Sequence, residues 1–328
     1  MGKRSIVSSD LAIDAKHLTR KFGDKEAVAD ATFQVGRTEV FGFLGPNGAG
    51  KTTTTKMLTT LLPPTSGSAS ILGFDLRTEG SKIRERIGVV QQQDSFDQGL
   101  NVETSMDLYG LLWNVPKKIR RERIEQLIKD FSMEEFRKKS SLDLSIGQRR
   151  RLQVAREFMH EMDILFLDEP TVGLDPIVRR DALNFFKQKV RDGLSIFFTT
   201  HILEEAEYLC NRIAVINHGR IVAVDTPANL KRKFGTAKAV EFRFLEGASA
   251  EFQRLLSTQD EVESVEFDND SGAYRAKTSK PELVIPEVYG IAEKLGLHVS
   301  SVYISETTLE DAFISMIEGP VDKEARAG

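Results

Sequence analysis

Gly45-Pro46-Asn47-Gly48-Ala49-Gly50-Lys51-Thr52 follows directly on the apolar run Val40-Phe41-Gly42-Phe43-Leu44. The octet matches GxxxxGK[ST] and sits where that pattern has a mechanism, between a buried strand and a helix expected to start near Lys51. Glycines admit backbone conformations that turn successive N–H groups toward one anion, and the positive end of a helix dipole faces the same point. Lys51 can then reach the β- and γ-phosphates of a nucleotide, the Thr52 hydroxyl can ligate Mg²⁺, and Thr53 continues the same turn. A glycine-rich turn without nucleotide is the alternative, and the flanking strand and helix count against it.

A second stretch completes the chemistry. Ile164-Leu165-Phe166-Leu167-Asp168-Glu169 is an apolar strand ending in two carboxylates. Open α/β sheets place ligands at the carboxyl ends of their strands. Asp168 suits the Mg²⁺ shell, and Glu169 suits orienting or deprotonating an attacking water. Such a pair alone is usually a solvated turn; behind a phosphate loop it points to hydrolysis.

Outward from these stretches, short β-type runs fill residues 11 to about 90, and strand character returns at 164–168, 195–200 and 212–216 with helical stretches between. That alternation predicts a largely parallel sheet with helices on its faces, an α/β fold. Ile124, Leu127, Ile128 and Phe131 recur at helical spacing, so a helical subdomain is expected at about 95–160. Trp113 and Phe185, Phe186, Phe197 and Phe198 read as core. The Gly235-Thr236-Ala237-Lys238 stretch after a basic run marks the expected boundary, giving domains at 1–234 and 235–328. Beyond it the βαββαβ order predicts a small α+β domain of ferredoxin-like type, followed by an amphipathic helix carrying Leu309, Ala312, Phe313 and Met316.

The 328 residues are 40% hydrophobic and 29% charged, within the globular range. No stretch approaches the roughly eighteen uninterrupted apolar residues of a membrane span, so any membrane role is expected to use a partner. The N-terminus shows no secretory pattern, and Ile6 stands where a myristoylation motif wants Ser or Thr. Cys210 is the only cysteine; it reads as a small hydrophobe and fits a reducing compartment. Residues 1–235 carry 36 basic and 31 acidic side chains, whereas 236–328 carry 9 and 18, which argues against nucleic acid as the tail's partner.

Leu144-Ser145-Ile146-Gly147-Gln148 lies shortly before Asp168. With it, residues 11 to about 230 resemble the ATP-binding-cassette (ABC) ATPases, whose signature is LSGGQ. The resemblance implies a P-loop NTPase cassette that works as a homodimer, two domains sandwiching two ATP molecules. Gly45 to Thr53 would hold the nucleotide, and Ser145, Gly147 and Gln148 would face the γ-phosphate of the other subunit's site. Gln92 looks like the Q-loop residue that senses Mg²⁺ and contacts the transporter, with Gln91 and Gln93 as neighbours easily confused with it. Asp175 in GLDP resembles the D-loop. His201 resembles the switch histidine, although a histidine after an apolar strand is often structural. Phe22 resembles the aromatic that stacks on adenine, plain packing being the alternative. Lys51, Gln92, Glu169 and His201 form the expected catalytic set, and Thr52, Gln92 and Asp168 the expected metal set.

Ile146 departs from the signature, and a β-branched residue tolerates positive φ poorly. The retained Ser145 and Gly147 favour an ordinary backbone there, hence a working, slow ATPase. Arg149, Arg150 and Arg151 are expected on a solvated helix face, with contact to phosphate or carboxylate as the alternative, and His17, His160, His218 and His298 at the surface or in packing. The run LGPNGAGKTTTTKMLTTLLPPTSGSASILGFDL with TTLEDAFISM is similar to the daunorubicin-resistance type of exporter ATPase and to A-subfamily lipid transporter cassettes. That resemblance implies a separate polytopic transmembrane permease, attachment to the cytoplasmic face of the membrane through it, and a regulatory or dimerising C-terminal domain. An importer's ATPase and a non-transport module switched by ATP are the alternatives. The chain has one cassette and only 116 residues between Lys51 and Asp168, which excludes translation factors with two cassettes and chromosome-associated members with long coiled coils.

Overall fold

The computed structural model describes residues 11–93, 95, 99–235, 239–247, 249–269, 271–305 and 307–318. The N-terminal residues read for targeting signals and residues 236–238 of the expected boundary lie outside these. The chain divides into two units, 1–227 and 228–328, a few residues ahead of the break read from sequence.

In the first unit, β1 (Leu11–Phe22) and β2 (Lys25–Gly36) form an antiparallel hairpin. Its turn carries Gly23 at φ 58°, a left-handed conformation that glycine adopts without a Cβ clash. β3 (Val40–Leu44) runs into α1 (Lys51–Leu58), and then come β4 (Ser66–Ile71), β5 (Phe74–Asp75), α2 (Gly80–Arg84) and β6 (Ile87–Val90). Three helices follow: α3 (Val102–Leu112), α4 (Lys117–Asp130) and α5 (Ile146–Glu157). The unit continues through β7 (Ile164–Asp168), α6 (Pro176–Arg191), β8 (Ser195–Thr200), α7 (Leu203–Leu209), β9 (Arg212–Asn217) and β10 (Arg220–Asp225).

The strands build two sheets. One is antiparallel, in the order β2-β1-β4-β5; the other runs β10-β9-β3-β8-β7-β6 and is parallel except for the β9–β10 hairpin. β3, β7 and β8 are buried along their whole length, which explains why they read as unbroken apolar runs. Phe33 of β2 packs on Phe41, Phe43 and Phe197 at ring-centroid distances of 5.5 to 6.1 Å, joining the hairpin to the parallel sheet. Each fully buried phenylalanine contributes on the order of 1.5–3 kcal/mol. Gly42 lets Cys210 approach β3 closely, because a Cβ there would lie 2.7 Å from Cys210 Sγ.

The apolar face of α4 buries Ile124, Leu127 and Ile128 as its spacing predicted. Trp113 departs from expectation: it is half-buried, and its indole lies flat on the buried imidazole of His160, ring centroids 4.0 Å apart. Phe185 is likewise only half-buried, whereas Phe186, Phe197 and Phe198 are core.

α8 (Pro227–Phe234) begins at the division. In the second unit β11 (Ala239–Phe244), α9 (Ala250–Leu256), β12 (Ser264–Asp268), β13 (Ala273–Lys277), α10 (Pro281–Leu295) and β14 (Val299–Ser305) follow the βαββαβ order, and α11 (Leu309–Glu318) ends the described chain. The sheet order is β12-β13-β11-β14, antiparallel throughout. Phe242, Phe244, Phe252 and Tyr274 interlock as its aromatic core.

Candidate active site

The parallel sheet positions the site by bringing the ends of β3, β7 and β8 side by side. After Leu44 the chain must leave the sheet tightly: a Cβ on Gly45 would lie 2.3 Å from the Ile216 carbonyl. Gly48 and Gly50 then take φ of 80° and 111°, wrapping the backbone before α1 starts at Lys51. The first turn of α1 holds no acidic side chain, leaving its N-terminal field to attract an anion.

Lys51 is buried, and its Nζ donates to the carbonyls of Gly45 at 2.7 Å and Pro46 at 3.1 Å. Burial pulls its ammonium pKa down, and the neighbouring carboxylates of Glu169 and Asp168 oppose that pull. Asp168 closes β7, where the Thr199 hydroxyl donates to its Oδ1. Glu169 comes next with φ 51°, a left-handed backbone that costs a non-glycine residue on the order of 1 kcal/mol or more. Its N–H donates to the Thr199 carbonyl at 3.1 Å, so the neighbouring strand holds the turn.

Three of the residues singled out from sequence meet at the Glu169 carboxylate. Gln92 Nε2 donates to Oε2 at 3.1 Å, His201 Nδ1 lies 3.2 Å from Oε1, and Lys51 Nζ lies 3.8 Å from Oε1. Of the three adjacent glutamines, Gln92 is the one whose side chain makes this contact. Thr52, Gln92 and Asp168 share another cavity, of about 240 Å³.

A cavity of about 580 Å³ is lined by Asn47, Gly48 and Gly50 to Thr53, by Gln92 and Glu169, and by Phe22 and residues 25–27. A volume of that size suits a nucleotide. Phe22 is 49% exposed, with the Arg20 guanidinium 4.7 Å from its ring centre. His218 and Gly219 also line this cavity, a placement that sequence reasoning missed. The β9–β10 turn brings them there: Gly219 N–H donates to the Ala49 carbonyl at 3.0 Å, and Gly219 accepts from Ala29 at 2.8 Å. No local pattern around His218 announces this.

The signature residues do not line that cavity. Ser145 caps α5 in a reciprocal box with Gln148, the serine Oγ accepting from Gln148 N–H at 3.2 Å and Gln148 Oε1 accepting from Ser145 N–H at 3.0 Å. Ile146 is the first residue of α5, 61% exposed and absent from the positive-φ residues, so its backbone is ordinary. Its side chain reaches over Gly173, whose carbonyl would lie 3.0 Å from a Cβ on Gly147. Asp175 spends its carboxylate on capping α6, accepting from Val178 N–H at 3.0 Å.

Arg150 corrects the expectation of a solvated arginine face: it is buried and donates to main-chain carbonyls of Gln91 and Gln92. Glu205 was also missed. It lies buried, accepting from the hydroxyls of Thr171 at 2.8 Å and Thr200 at 3.1 Å, one on each stretch that carries Glu169 and His201. Burial raises its pKa, with those hydroxyls, Arg179 and His201 opposing. It lies in the first turn of α7, four positions after His201, which precedes the helix, and no residue pattern in the sequence singles it out.

Comparison with known proteins finds similar sequences and folds. Residues 28–172 match the family model described as ABC transporter. The chain is 40% identical over 222 residues to the probable multidrug ABC transporter ATP-binding protein YbhF of Escherichia coli K12, covering 68% of this chain and 38% of that protein. This chain thus spans well under half the length of that relative. It is 35% identical over 312 residues to the daunorubicin/doxorubicin resistance ATP-binding protein DrrA of Streptomyces peucetius, covering 95% and 94% of the two chains. A solved structure of an ATP-binding subunit of an ABC transporter superposes with a TM-score of 0.64 at 26% identity, over 68% of this chain and 93% of its own.

Proposed function

This chain belongs to the ABC transporter family of ATP-binding proteins and is an ATPase, and from that premise we propose that it hydrolyses Mg²⁺-ATP to drive a drug exporter. The observation that carries the mechanism is the convergence of Gln92, His201 and Lys51 on the carboxylate of Glu169, a residue that lines the nucleotide-sized cavity. The likeness to DrrA along nearly the whole chain supports export.

In this reading the backbone N–H groups of residues 47–52 and the Lys51 ammonium hold the β- and γ-phosphates, and Phe22 stacks on adenine. Thr52 and Asp168 offer hard oxygen donors on one cavity wall, the pattern by which Mg²⁺ is held with phosphate oxygens and water. Bound there, the ion would neutralise charge building on the phosphates. Glu169 accepts a proton from the water that attacks the γ-phosphorus as the bond to the bridging oxygen breaks, releasing ADP and phosphate. Gln92 orients that water, and His201 holds the carboxylate and the γ-phosphate in register. Thr199 keeps Asp168 in place by its hydroxyl bond.

We assign Ser145, Gly147 and Gln148 to the partner's nucleotide in a homodimer. Within one chain these residues stand off the cavity lined by Lys51 and Glu169. No helix among the described residues is long and apolar enough to cross a membrane. We assign the membrane path to a separate polytopic permease, which would hold this subunit at the cytoplasmic face. The second unit is proposed to steady or regulate the dimer.

The test is phosphate release by the purified chain, alone and reconstituted with a candidate polytopic permease, in vesicles loaded with a fluorescent anthracycline. Turnover that requires Mg²⁺, and dye movement that requires ATP, are expected. Absence of nucleotide binding with Mg²⁺ present would overturn the hydrolytic reading; turnover without any effect of a permease would overturn the transport reading.

A further inference from the structure

β6 ends at Val90, and from Gln91 onward the strand ladder no longer pairs the main chain. The carbonyls there still need donors. They find them on one face of α5, where Arg150, Gln153 and Arg156 stand three residues apart and all three are buried. Arg150 Nη1 donates to the Gln91 carbonyl and Nη2 to the Gln92 carbonyl, both at 2.8 Å. Gln153 Nε2 bridges the carbonyls of Gln91 and Gln93, both at 3.0 Å, while its Oε1 accepts from Arg150 at 2.8 Å. Arg156 Nη2 donates to the Ser95 carbonyl at 2.7 Å. The carbonyls of residues 91, 92, 93 and 95 are therefore all held by a single helix.

Two consequences meet here. The Gln92 side chain starts from a backbone fixed by Arg150 and Gln153 and reaches Glu169 Oε2 at 3.1 Å. The same helix opens on Ser145 and its cap with Gln148. A twelve-residue helix is stiff over its length of about 18 Å, so a shift at one end is felt at the other.

We propose that Arg150 and Gln153 are positioning residues that set the Gln92 carboxamide against Glu169 and make the 91–93 segment and the Ser145 loop move as one body. This rests on the assignment of Gln92 and Glu169 to the hydrolytic site. The side chains act through the main chain and touch no substrate. Their chemistry is specific: a guanidinium fork spans two neighbouring carbonyls, whereas a lysine ammonium is a single point donor.

The experiment is steady-state hydrolysis of Mg²⁺-ATP by the full chain as wild type, Gln92→Ala, Arg150→Ala, Arg150→Lys, Gln153→Ala and the double variant Gln92→Ala/Arg150→Ala. Arg150→Ala is expected to lower kcat by about tenfold or more with KM within about threefold, the mark of a lost transition-state interaction. The double variant is expected to turn over no more slowly than Gln92→Ala alone, because both changes act through one side chain. Arg150→Lys should fail to restore the rate. Should Arg150→Ala not fold, Gln153→Ala removes the donor to the Gln91 carbonyl that Arg150 also holds and to the Gln93 carbonyl beyond it, and carries the same kcat expectation and cycle.

Multiplying losses in the double variant, a raised KM with unchanged kcat, or full rescue by lysine overturns the clamp. If Arg150→Ala retains wild-type turnover while Gln92→Ala loses it, only the clamp falls. If Gln92→Ala itself retains turnover, the assignment of Gln92 falls and takes the clamp with it.

Discussion

Gln92 donates its side-chain amide to a glutamate, Glu169, whose own backbone is left-handed at φ 51°, and the two lie 77 positions apart in the chain. The turn at Glu169 lifts the carboxylate off the end of β7 to meet Gln92, His201 and Lys51, which straight continuation of the strand would not do. Glu169→Gln keeps the shape and removes the base. Turnover is expected to fall by about a hundredfold or more, the usual worth of general base catalysis, with Mg²⁺-ATP affinity within about threefold of wild type. Phosphate release and calorimetry measure the two. A variant that still hydrolyses ATP at the wild-type rate would move the base elsewhere.

Much of this site could be read from the chain because its chemistry is local. Gly45 to Thr52 and Ile164 to Glu169 each couple a buried strand to the residues at its end, and both strands are buried on two faces. Gln92 had to be chosen among three glutamines by resemblance, since only the fold shows which amide reaches Glu169. Arg150 was misread because an arginine on a helix is solvated by default, and nothing nearby says that unpaired carbonyls lie opposite. The separate antiparallel sheet also escaped notice: alternation in β1 and β2 marks a half-buried strand without naming its neighbour.

Phe22 lines the cavity with a half-exposed side chain, and the Arg20 guanidinium lies near its ring centre. A base stacked on a ring contributes about 1–3 kcal/mol, so Phe22→Ala should weaken ATP binding by roughly tenfold, with Phe22→Tyr close to wild type. Loss of affinity for ATP and GTP alike is expected, because stacking is tolerant of the base. Calorimetry showing unchanged affinity in Phe22→Ala would return the ring to plain packing.

Ile146 occupies the first position of α5 with an ordinary backbone, so the departure from the signature glycine imposes no strain for a glycine to relieve. Ile146→Gly should therefore change turnover by less than about threefold and, by adding backbone freedom at a helix start, lower stability slightly. A large gain in phosphate release on this substitution would show that the isoleucine side chain, lying over Gly173, obstructs the partner's site.

Gly42 is closely packed in β3, where a Cβ would meet Cys210 Sγ at 2.7 Å and Ile213 Cγ1 at 3.2 Å. Gly42→Ala overpacks this strand and should cost about 1–3 kcal/mol in denaturant titration. Adding Cys210→Ala removes the sulfur from the clash and should recover part of that loss. Equal stability of the single and double variants would show that the strand, and not the thiol, takes up the strain.

Glu157 ends α5 buried, its Oε1 accepting from the Tyr109 hydroxyl at 2.8 Å and its Oε2 from Val89 N–H at 3.1 Å. Burial pushes its carboxyl above the ordinary value of 4.5, while Tyr109, Val89 and Arg156 act in the opposite sense without cancelling it. The folded protein therefore binds this proton more tightly than the unfolded chain does. Between 4.5 and the raised value the native state carries more of the proton, so this group's contribution to stability declines as pH climbs through that window and stays low above it. Glu157→Gln stays neutral at every pH and lacks the decline. The difference in Tm, variant minus wild type, should thus be more positive at pH 8 than at pH 5, since every other titrating group cancels between the two proteins. A difference that stays level or shrinks as pH rises would mean that Glu157 remains ionised in the fold, its charge balanced by Arg156 and the two donors.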